Sequence, residues 1–143
     1  MRVLGIDYGE RRIGLALSDV TGLLASPWKK VANDGNLAAA AKRLAEEIRA
    51  LGGDEDGLGA IVIGLPRRLS GDANDQTTRV TGLAELLARE VDLPIVLQDE
   101  RLTSHAAEEL LAGRERDWRK RKEQIDAVAA ALILQDYLDH QPR

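Results

Sequence analysis

The sequence predicts an α/β fold in which helices flank both faces of a mixed five-stranded sheet. Three short apolar stretches separated by Gly and Asp begin the chain and predict strands joined by tight turns, at residues 2–7, 12–18 and 23–31. Helical and strand patterns then alternate along the chain, and the strands of such crossover units run parallel to one another. A sheet that starts with hairpins and continues with crossovers therefore contains both antiparallel and parallel strand pairs.

The elements that follow the hairpins are predicted from apolar spacing and from Gly and Pro residues. Residues 36–51 are Ala-rich, place Leu and Ile on one helical face and stop at Gly52 and Gly53, which predicts a helix. Residues 59–64 (GAIVIG) form a continuous apolar run that Pro66 ends, which is typical of a buried parallel strand. The remaining predicted elements are a helix at 76–90, a strand at 95–98, a helix from Thr103 or Ser104 to Ala112, and a last helix at 123–139. The chain has no internal repeat and no low-complexity linker, so residues 1–143 are expected to form a single domain.

Composition narrows the class of protein. The chain contains no cysteine, which excludes disulfides, thiol catalysis and thiolate metal sites. Its N-terminus resembles neither a signal peptide nor a membrane span, because the apolar run there is short and is interrupted by Gly5 and Asp7. We therefore expect a cytoplasmic protein that does not bind membranes.

Charge is distributed unevenly along the chain. The net charge of −4 argues mildly against a nucleic-acid-binding protein, since proteins that neutralise many phosphates usually carry a basic excess. Residues 114–122 (RERDWRKRK), however, contain six basic and two acidic residues, a local charge of +4 that leaves −8 for the remainder. This segment is either a solvated connection or a nucleic-acid contact, in which basic groups bind phosphates and the indole stacks on a base: Trp118, Arg119, Lys120, Arg121 and Lys122.

Asp7 is the first candidate for chemistry. It ends the first predicted strand and is followed by Tyr8 and Gly9, so its carboxylate is expected at a strand end where Gly9 lets a ligand approach the backbone. An Asp that forms the turn between two hairpin strands would give the same pattern.

Asp99, Glu100 and Arg101 follow the last predicted strand, and open α/β sheets usually place their sites at the carboxyl ends of strands. Arg101, together with the free N–H groups of the helix start near Thr103, could hold a phosphate. The alternative is a solvated charged loop in which Arg101 pairs with Glu100.

Asp126 lies in the otherwise apolar start of the last predicted helix, between Ile125 and Val128. A buried carboxylate needs a partner, which makes this position a candidate for ligand binding. Alternatively, Asp126 caps the helix or pairs with Lys122 one turn earlier.

If Asp7, Glu100 and Asp126 converge, they require a cation. Two carboxylates about 4 Å apart repel by roughly 4 kcal/mol at an effective dielectric constant near 20, so a bound ion would remove the conflict. Oxygen ligands suit Mg²⁺ or Mn²⁺, and a pair of such ions can activate water and stabilise a leaving oxygen in phosphoryl transfer. Convergence of the three acids therefore predicts metal-assisted phosphodiester hydrolysis.

Four blocks in order along the chain resemble the YqgF family, also called the RuvX or Holliday-junction-resolvase-like family, whose members are described as nucleases of pre-16S rRNA. They are LGIDYGERRIGLALSD at 4–19, IVIGLPRRLSG at 61–71, DERLTSHAAEELL at 99–111 and IDAVAAALILQDYLD at 125–139. The resemblance implies a ribonuclease H-like fold with the first strand at its centre, and it implies that Asp7, Glu100 and Asp126 are the catalytic metal-binding acids. Many relatives in the wider superfamily take their second acid from the fourth strand, which offers none here, so Glu100 is expected to substitute. Two departures from the family, at Ser70 and at Gly82 with Leu83, concern the substrate contacts of the loop and not the acids.

The resemblance favours structured RNA as the substrate, specifically in the 5′-end maturation of pre-16S rRNA. A resolvase of four-way DNA junctions is the alternative among nucleases, and it would require two active sites and hence a homodimer, whereas an RNA nuclease could act as a monomer. A non-catalytic RNA-binding ribosome-assembly factor is an alternative from another class. The strand-end Asp with the downstream Gly14 also resembles the phosphate-binding hairpin of actin-like ATPases and sugar kinases, which enclose a nucleotide between two such domains.

Overall fold

The structure is a computed structural model, and it describes residues 1–66, 74–99 and 118–142; for residues 118–126 it describes the helical backbone only. The described elements are β1 (Arg2–Tyr8), β2 (Arg12–Ser18), β3 (Ala25–Ala32), α1 (Leu37–Gly52), β4 (Leu58–Leu65), α2 (Asp75–Glu90), β5 (Ile95–Asp99) and α3 (Trp118–Asp139). Most of the predicted bounds agree with these to within one or two residues. The helix predicted to end at Ala112 lies outside the described residues.

The sheet has the strand order β3-β2-β1-β4-β5, with β1 in the centre. β2 is antiparallel to both of its neighbours, whereas β1, β4 and β5 run parallel to one another. The prediction of a mixed five-stranded sheet with a central first strand is therefore confirmed. Because β1, β4 and β5 are parallel, their carboxyl ends lie at the same edge of the sheet.

Helices cover both faces of the sheet, as predicted. The larger core cluster joins Leu4, Ile6 and Tyr8 of β1 to the apolar faces of α1 and α2. The smaller cluster joins α3 to the opposite face, where it contains residues such as Ala16 and Val62. Successive side chains of a strand point to opposite faces, so β1 contributes alternate residues to the two layers. Within the described residues, no helix is long and apolar enough to cross a membrane.

The prediction that the last helix begins at residue 123 is wrong, because α3 begins at Trp118. Residues 119–122 therefore belong to the helix and not to a solvated connection before it. The physical reason is that Lys and Arg are good helix formers, and no Gly or Pro separates this segment from the apolar part of the helix. The basic residues thus begin a helix of 22 residues.

The turn between β2 and β3 is organised by the carboxylate of Asp19. Its Oδ1 accepts hydrogen bonds from the N–H groups of Leu23 at 2.9 Å and Leu24 at 3.0 Å, and its Oδ2 accepts one from the Thr21 hydroxyl. The bond from Thr21, followed by the bonds from the backbone, lowers the pKa of Asp19 from 3.8 to about 2. The hydrogen bonds of this turn thus stabilise the ionised form of the Asp19 carboxylate.

We expect this turn to make the stability of the folded protein depend on pH in the acidic range. Because the pKa of Asp19 is lower in the folded state than in the unfolded state, its contribution is complete above about pH 4 and is lost as the pH falls through about 2. Thermal unfolding of the native protein and of Asp19→Asn between pH 5 and pH 2 measures this. The melting temperature of the native protein should exceed that of the variant near pH 5, and the difference should shrink towards pH 2. A difference that stays constant with pH would contradict this account.

Candidate functional site

Asp7 lies near the carboxyl end of the central strand, on the face that α3 covers. Leu4, Ile6 and Tyr8 belong to the core on the α1 and α2 side, whereas Val3 packs in the cluster with α3. Alternation along β1 therefore places Gly5 and Asp7 on the α3 side. The carboxylate residue is half-buried there and has an interaction partner within the protein.

α3 touches the central strand two residues before Asp7. A Cβ atom added to Gly5 would lie 2.8 Å from Leu134 Cβ and 3.0 Å from the carbonyl oxygen of Ala130. The helix can approach this closely only because Gly5 has no side chain. Asp126 is four residues before Ala130 in the same helix, which is about one turn.

The direction of α3 places its first turns toward the end of β1 at which Asp7 lies. The Gln135 side chain accepts from Ala25 N–H at 2.9 Å and donates to the carbonyl of Leu23 at 2.9 Å. Ala25 pairs with Ser18, and Ser18 Oγ accepts from the N–H of Val3 at 2.7 Å, so this contact lies near the amino end of β1. The turn that contains Asp126 therefore lies toward the carboxyl end of β1, while the Asp126 side chain is outside the described residues.

Glu100, Arg101 and Thr103 lie outside the described residues. β5 ends at Asp99, which pairs with Leu65 at the end of β4. The chain thus leaves β5 at the same edge of the sheet as the carboxyl end of β1. β4 (Leu58–Leu65) contains no acidic residue, and Gly64 follows Ile63, which pairs with Ile6 of β1.

The predicted substrate contacts on α3 have a described backbone only. They occupy the first two turns of the helix: Trp118, Arg119, Lys120, Arg121 and Lys122. Among the residues with described side chains, no group of three or more His, Cys, Asp or Glu residues could hold a metal ion. Glu100 and the side chain of Asp126 lie outside that set, so the predicted three-acid site is not tested by it.

The backbone that follows Asp7 is held by side chains that the sequence analysis did not identify. Gln76 Nε2, from the first turn of α2, donates to the carbonyl of Tyr8 at 2.9 Å, and Asn33 Nδ2 donates to the carbonyl of Gly9 at 2.7 Å. Arg79 of α2 donates to both Tyr8 Oη at 3.3 Å and the carbonyl of Gly35 at 2.6 Å. These bonds fix the chain directly after Asp7 to α2 and to the loop before α1. No periodic or motif signal in the sequence marks these residues.

Gly9 has a structural role in the turn between β1 and β2. Its N–H donates to the carbonyl of Arg12 at 3.0 Å, and an added Cβ would lie only 2.6 Å from that oxygen. The absence of a side chain is thus required by the turn between β1 and β2. The approach of a ligand to the backbone at Gly9 stays a prediction.

Comparison with solved structures defines the fold class. The structure resembles RuvC of T. thermophilus in complex with a Holliday junction substrate, with a TM-score of 0.62 and 16% identity, covering 98% of this chain and 97% of that chain. A second structure of Thermus thermophilus RuvC gives a TM-score of 0.54, covering 96% and 94%. The inorganic polyphosphate/ATP-glucomannokinase of Arthrobacter sp. strain KM gives 0.50, and the match spans 47% of that chain. At 16% identity these similarities establish the fold alone, and that fold is RuvC-like, or ribonuclease H-like.

The sequence comparisons define the family. Residues 1–140 match the family described as "RuvX: Holliday junction resolvase", and the chain belongs to this family. A relative from Pelotomaculum thermopropionicum is 39% identical over 143 residues, covering 100% of this chain and 90% of the relative. A relative from Roseiflexus sp. strain RS-1 is 41% identical over 140 residues, covering 98% and 95%. Both relatives carry the name "Putative pre-16S rRNA nuclease".

Proposed function

We propose that this protein is a divalent-metal-dependent nuclease that hydrolyses phosphodiester bonds in structured RNA, with Asp7, Glu100 and Asp126 as its catalytic acids. The observation that carries the proposal is the position of Asp7. It lies near the carboxyl end of the central strand, on the face that α3 covers, and the turn of α3 that contains Asp126 lies toward the same end of the strand. The substrate we propose is pre-16S rRNA, during the maturation of its 5′ end in the cytoplasm. The names of the relatives support this substrate.

The donor atoms fit Mg²⁺ or Mn²⁺. Aspartate and glutamate offer oxygen ligands, which these ions prefer, and the chain contains no cysteine that would favour a softer metal. When bound, such ions supply Lewis-acid stabilisation of the charge that develops on phosphate oxygens. Asp7 would hold the ion from the end of β1, where Gln76 binds the carbonyl of Tyr8 and Asn33 binds the carbonyl of the following Gly9. The carboxylate would therefore need little reorganisation during the reaction.

A second candidate function is the cleavage of four-way DNA junctions. The family description and the fold shared with RuvC favour it. A resolvase cuts two strands symmetrically and therefore needs two active sites, so this function requires a homodimer.

One experiment separates these functions. The purified protein is offered an end-labelled pre-16S RNA fragment and a four-way DNA junction in parallel, with Mn²⁺, with Mg²⁺ and with a chelator, while light scattering gives its oligomeric state. We expect cleavage of the RNA that the chelator abolishes. Symmetric nicks in the junction by a dimer, without cleavage of the RNA, would support the second candidate, and metal-dependent cleavage of neither substrate would contradict both. Binding of the RNA without cleavage would support a non-catalytic assembly factor instead.

A further inference from the structure

A row of residues crosses the α3 face of the sheet at the level of Asp7. The register pairs Asp7 with Gly14 on β2, and Gly14 with Lys30 on β3. Neighbouring strands lie about 4.8 Å apart, which puts the Cα atoms of Asp7 and Lys30 roughly 10 Å apart. Because Gly14 has no side chain, β2 places none between the carboxylate and the lysine in this row.

Lys30 faces α3, as Asp7 does. Its two neighbours in β3 face the other way: Lys29 Nζ lies 2.7 Å from Glu47 Oε2 of α1, and Val31 is buried in the core cluster with α1 and α2. Since successive side chains of a strand alternate, Lys30 lies on the α3 side. It is half-buried in that position.

Arg12 adds a second cation on the same face. Ala16 packs in the α3 cluster, so alternation along β2 places Gly14 and Arg12 on that side as well. Arg12 pairs with Ala32, which makes Lys30 its diagonal neighbour on β3, about 7–8 Å away. Both residues have interactions within the protein. The guanidinium of Arg12 has five N–H donors and the ammonium of Lys30 has three, so each side chain can bind more than one acceptor.

We propose that Arg12 and Lys30 form a phosphate-binding pair that holds the backbone of a nucleic-acid strand beside Asp7. This inference rests on the proposed nuclease function, because it requires Asp7 to lie at the reacting phosphate. Guanidinium and ammonium groups bind phosphate oxygens through charge-assisted hydrogen bonds. α3 begins toward the same end of β1, and four consecutive basic residues occupy its first two turns in the sequence.

The chain offers a matched control for each cation. Lys30→Gln and Arg12→Gln are compared with Lys29→Gln and Arg11→Gln, which remove the same charge from the adjacent residue. Lys29 lies on the other face of the sheet, and Arg11 is exposed in the turn between β1 and β2. Binding of a fluorescent pre-16S RNA fragment is measured over a range of salt concentrations, cleavage of the same fragment is measured with Mn²⁺, and thermal unfolding is measured for every variant.

We expect Lys30→Gln and Arg12→Gln each to weaken RNA binding by about tenfold and to raise KM more than they lower kcat, because each removes a charge-assisted hydrogen bond to phosphate. The slope of log affinity against log salt should fall by about 0.7–0.9 for each phosphate that the variant no longer neutralises. Lys30→Arg and Arg12→Lys should recover most of the affinity. The two controls should bind and cleave RNA as the native protein does, although Lys29→Gln also loses the ion pair with Glu47 and its melting temperature should be lower.

Two results would overturn the pair while leaving the nuclease function intact. In the first, the native protein cleaves RNA, but Lys30→Gln and Arg12→Gln bind and cleave it as well as their controls do. The other is weaker binding that follows a lower melting temperature with an unchanged salt slope, which would assign the residues a structural role. If the native protein neither binds nor cleaves RNA, the proposed function and the pair fail together.

Discussion

Replacement of Asp7 by Asn should lower metal-dependent cleavage by at least about a hundredfold, the scale of losing one preorganised electrostatic group. Asn has nearly the same shape, but it is neutral and cannot balance the charge of a divalent ion. If the three acids converge as proposed, folding should be preserved or slightly improved, because neighbouring carboxylates repel one another in the metal-free protein. Initial cleavage rates at several Mn²⁺ concentrations, with thermal unfolding without metal, measure both effects.

Asp34→Asn is the matched control for this change. Asp34 is exposed, and its Oδ1 accepts a hydrogen bond from the N–H of Asn36 at 2.9 Å. It lies in the same loop as Asn33, whose side chain contacts Gly9. Asp34→Asn removes the same charge as Asp7→Asn near the same end of the sheet, and it should leave cleavage unchanged. Glu100→Gln and Asp126→Asn should behave as Asp7→Asn does, and full activity in any of the three under Mg²⁺ would show that the proposed set of acids is wrong.

The sequence was sufficient to predict most of the fold because its elements follow regular periods. Residues 36–51 and 76–90 repeat apolar side chains at helical spacing, and GAIVIG is a continuous apolar run, so each pattern has one simple structural solution. The beginning of α3 was missed because its first turns are basic, and a run of Lys and Arg has no apolar period to detect. Helix propensity, not amphipathicity, extends the helix there.

The candidate site was predicted less completely, because part of it depends on strand register. β3 contains a register shift opposite Leu15 and Ala16, where Trp28 is an extra residue. A shift of one residue reverses the face to which every later side chain points, and here it places Lys30, and not Lys29, on the α3 side. Pro27 lies at the shift, but a proline in a strand is compatible with an edge strand as well as with a bulge, so the sequence alone does not reveal the change of register. The hydrogen bonds from Gln76 and Asn33 to the chain after Asp7 likewise join segments that are far apart in the sequence.

Substitution of Gly5 by Ala should destabilise the protein by about 1–3 kcal/mol, the usual cost of overpacking a close contact. The added methyl group would meet Leu134 Cβ at 2.8 Å and the carbonyl oxygen of Ala130 at 3.0 Å. Leu134→Ala should not rescue the variant, because alanine retains the Cβ atom that causes the clash. Gly52→Ala is the control, since an added Cβ at Gly52 has no neighbour within 4 Å and should leave stability unchanged or raise it by about 0.4–1 kcal/mol. Urea unfolding of the three variants and the native protein measures these differences.

The same contact links stability to the candidate site. Ala130 belongs to the helix turn that follows Asp126, so a shift of α3 away from Gly5 would also move Asp126 relative to Asp7. Gly5→Ala should therefore lose cleavage at temperatures at which it is still folded, and its loss of activity should exceed the unfolded fraction. Native stability in Gly5→Ala would mean that α3 does not approach β1 this closely. Loss of stability with full activity in the folded fraction would mean that the position of α3 does not limit catalysis.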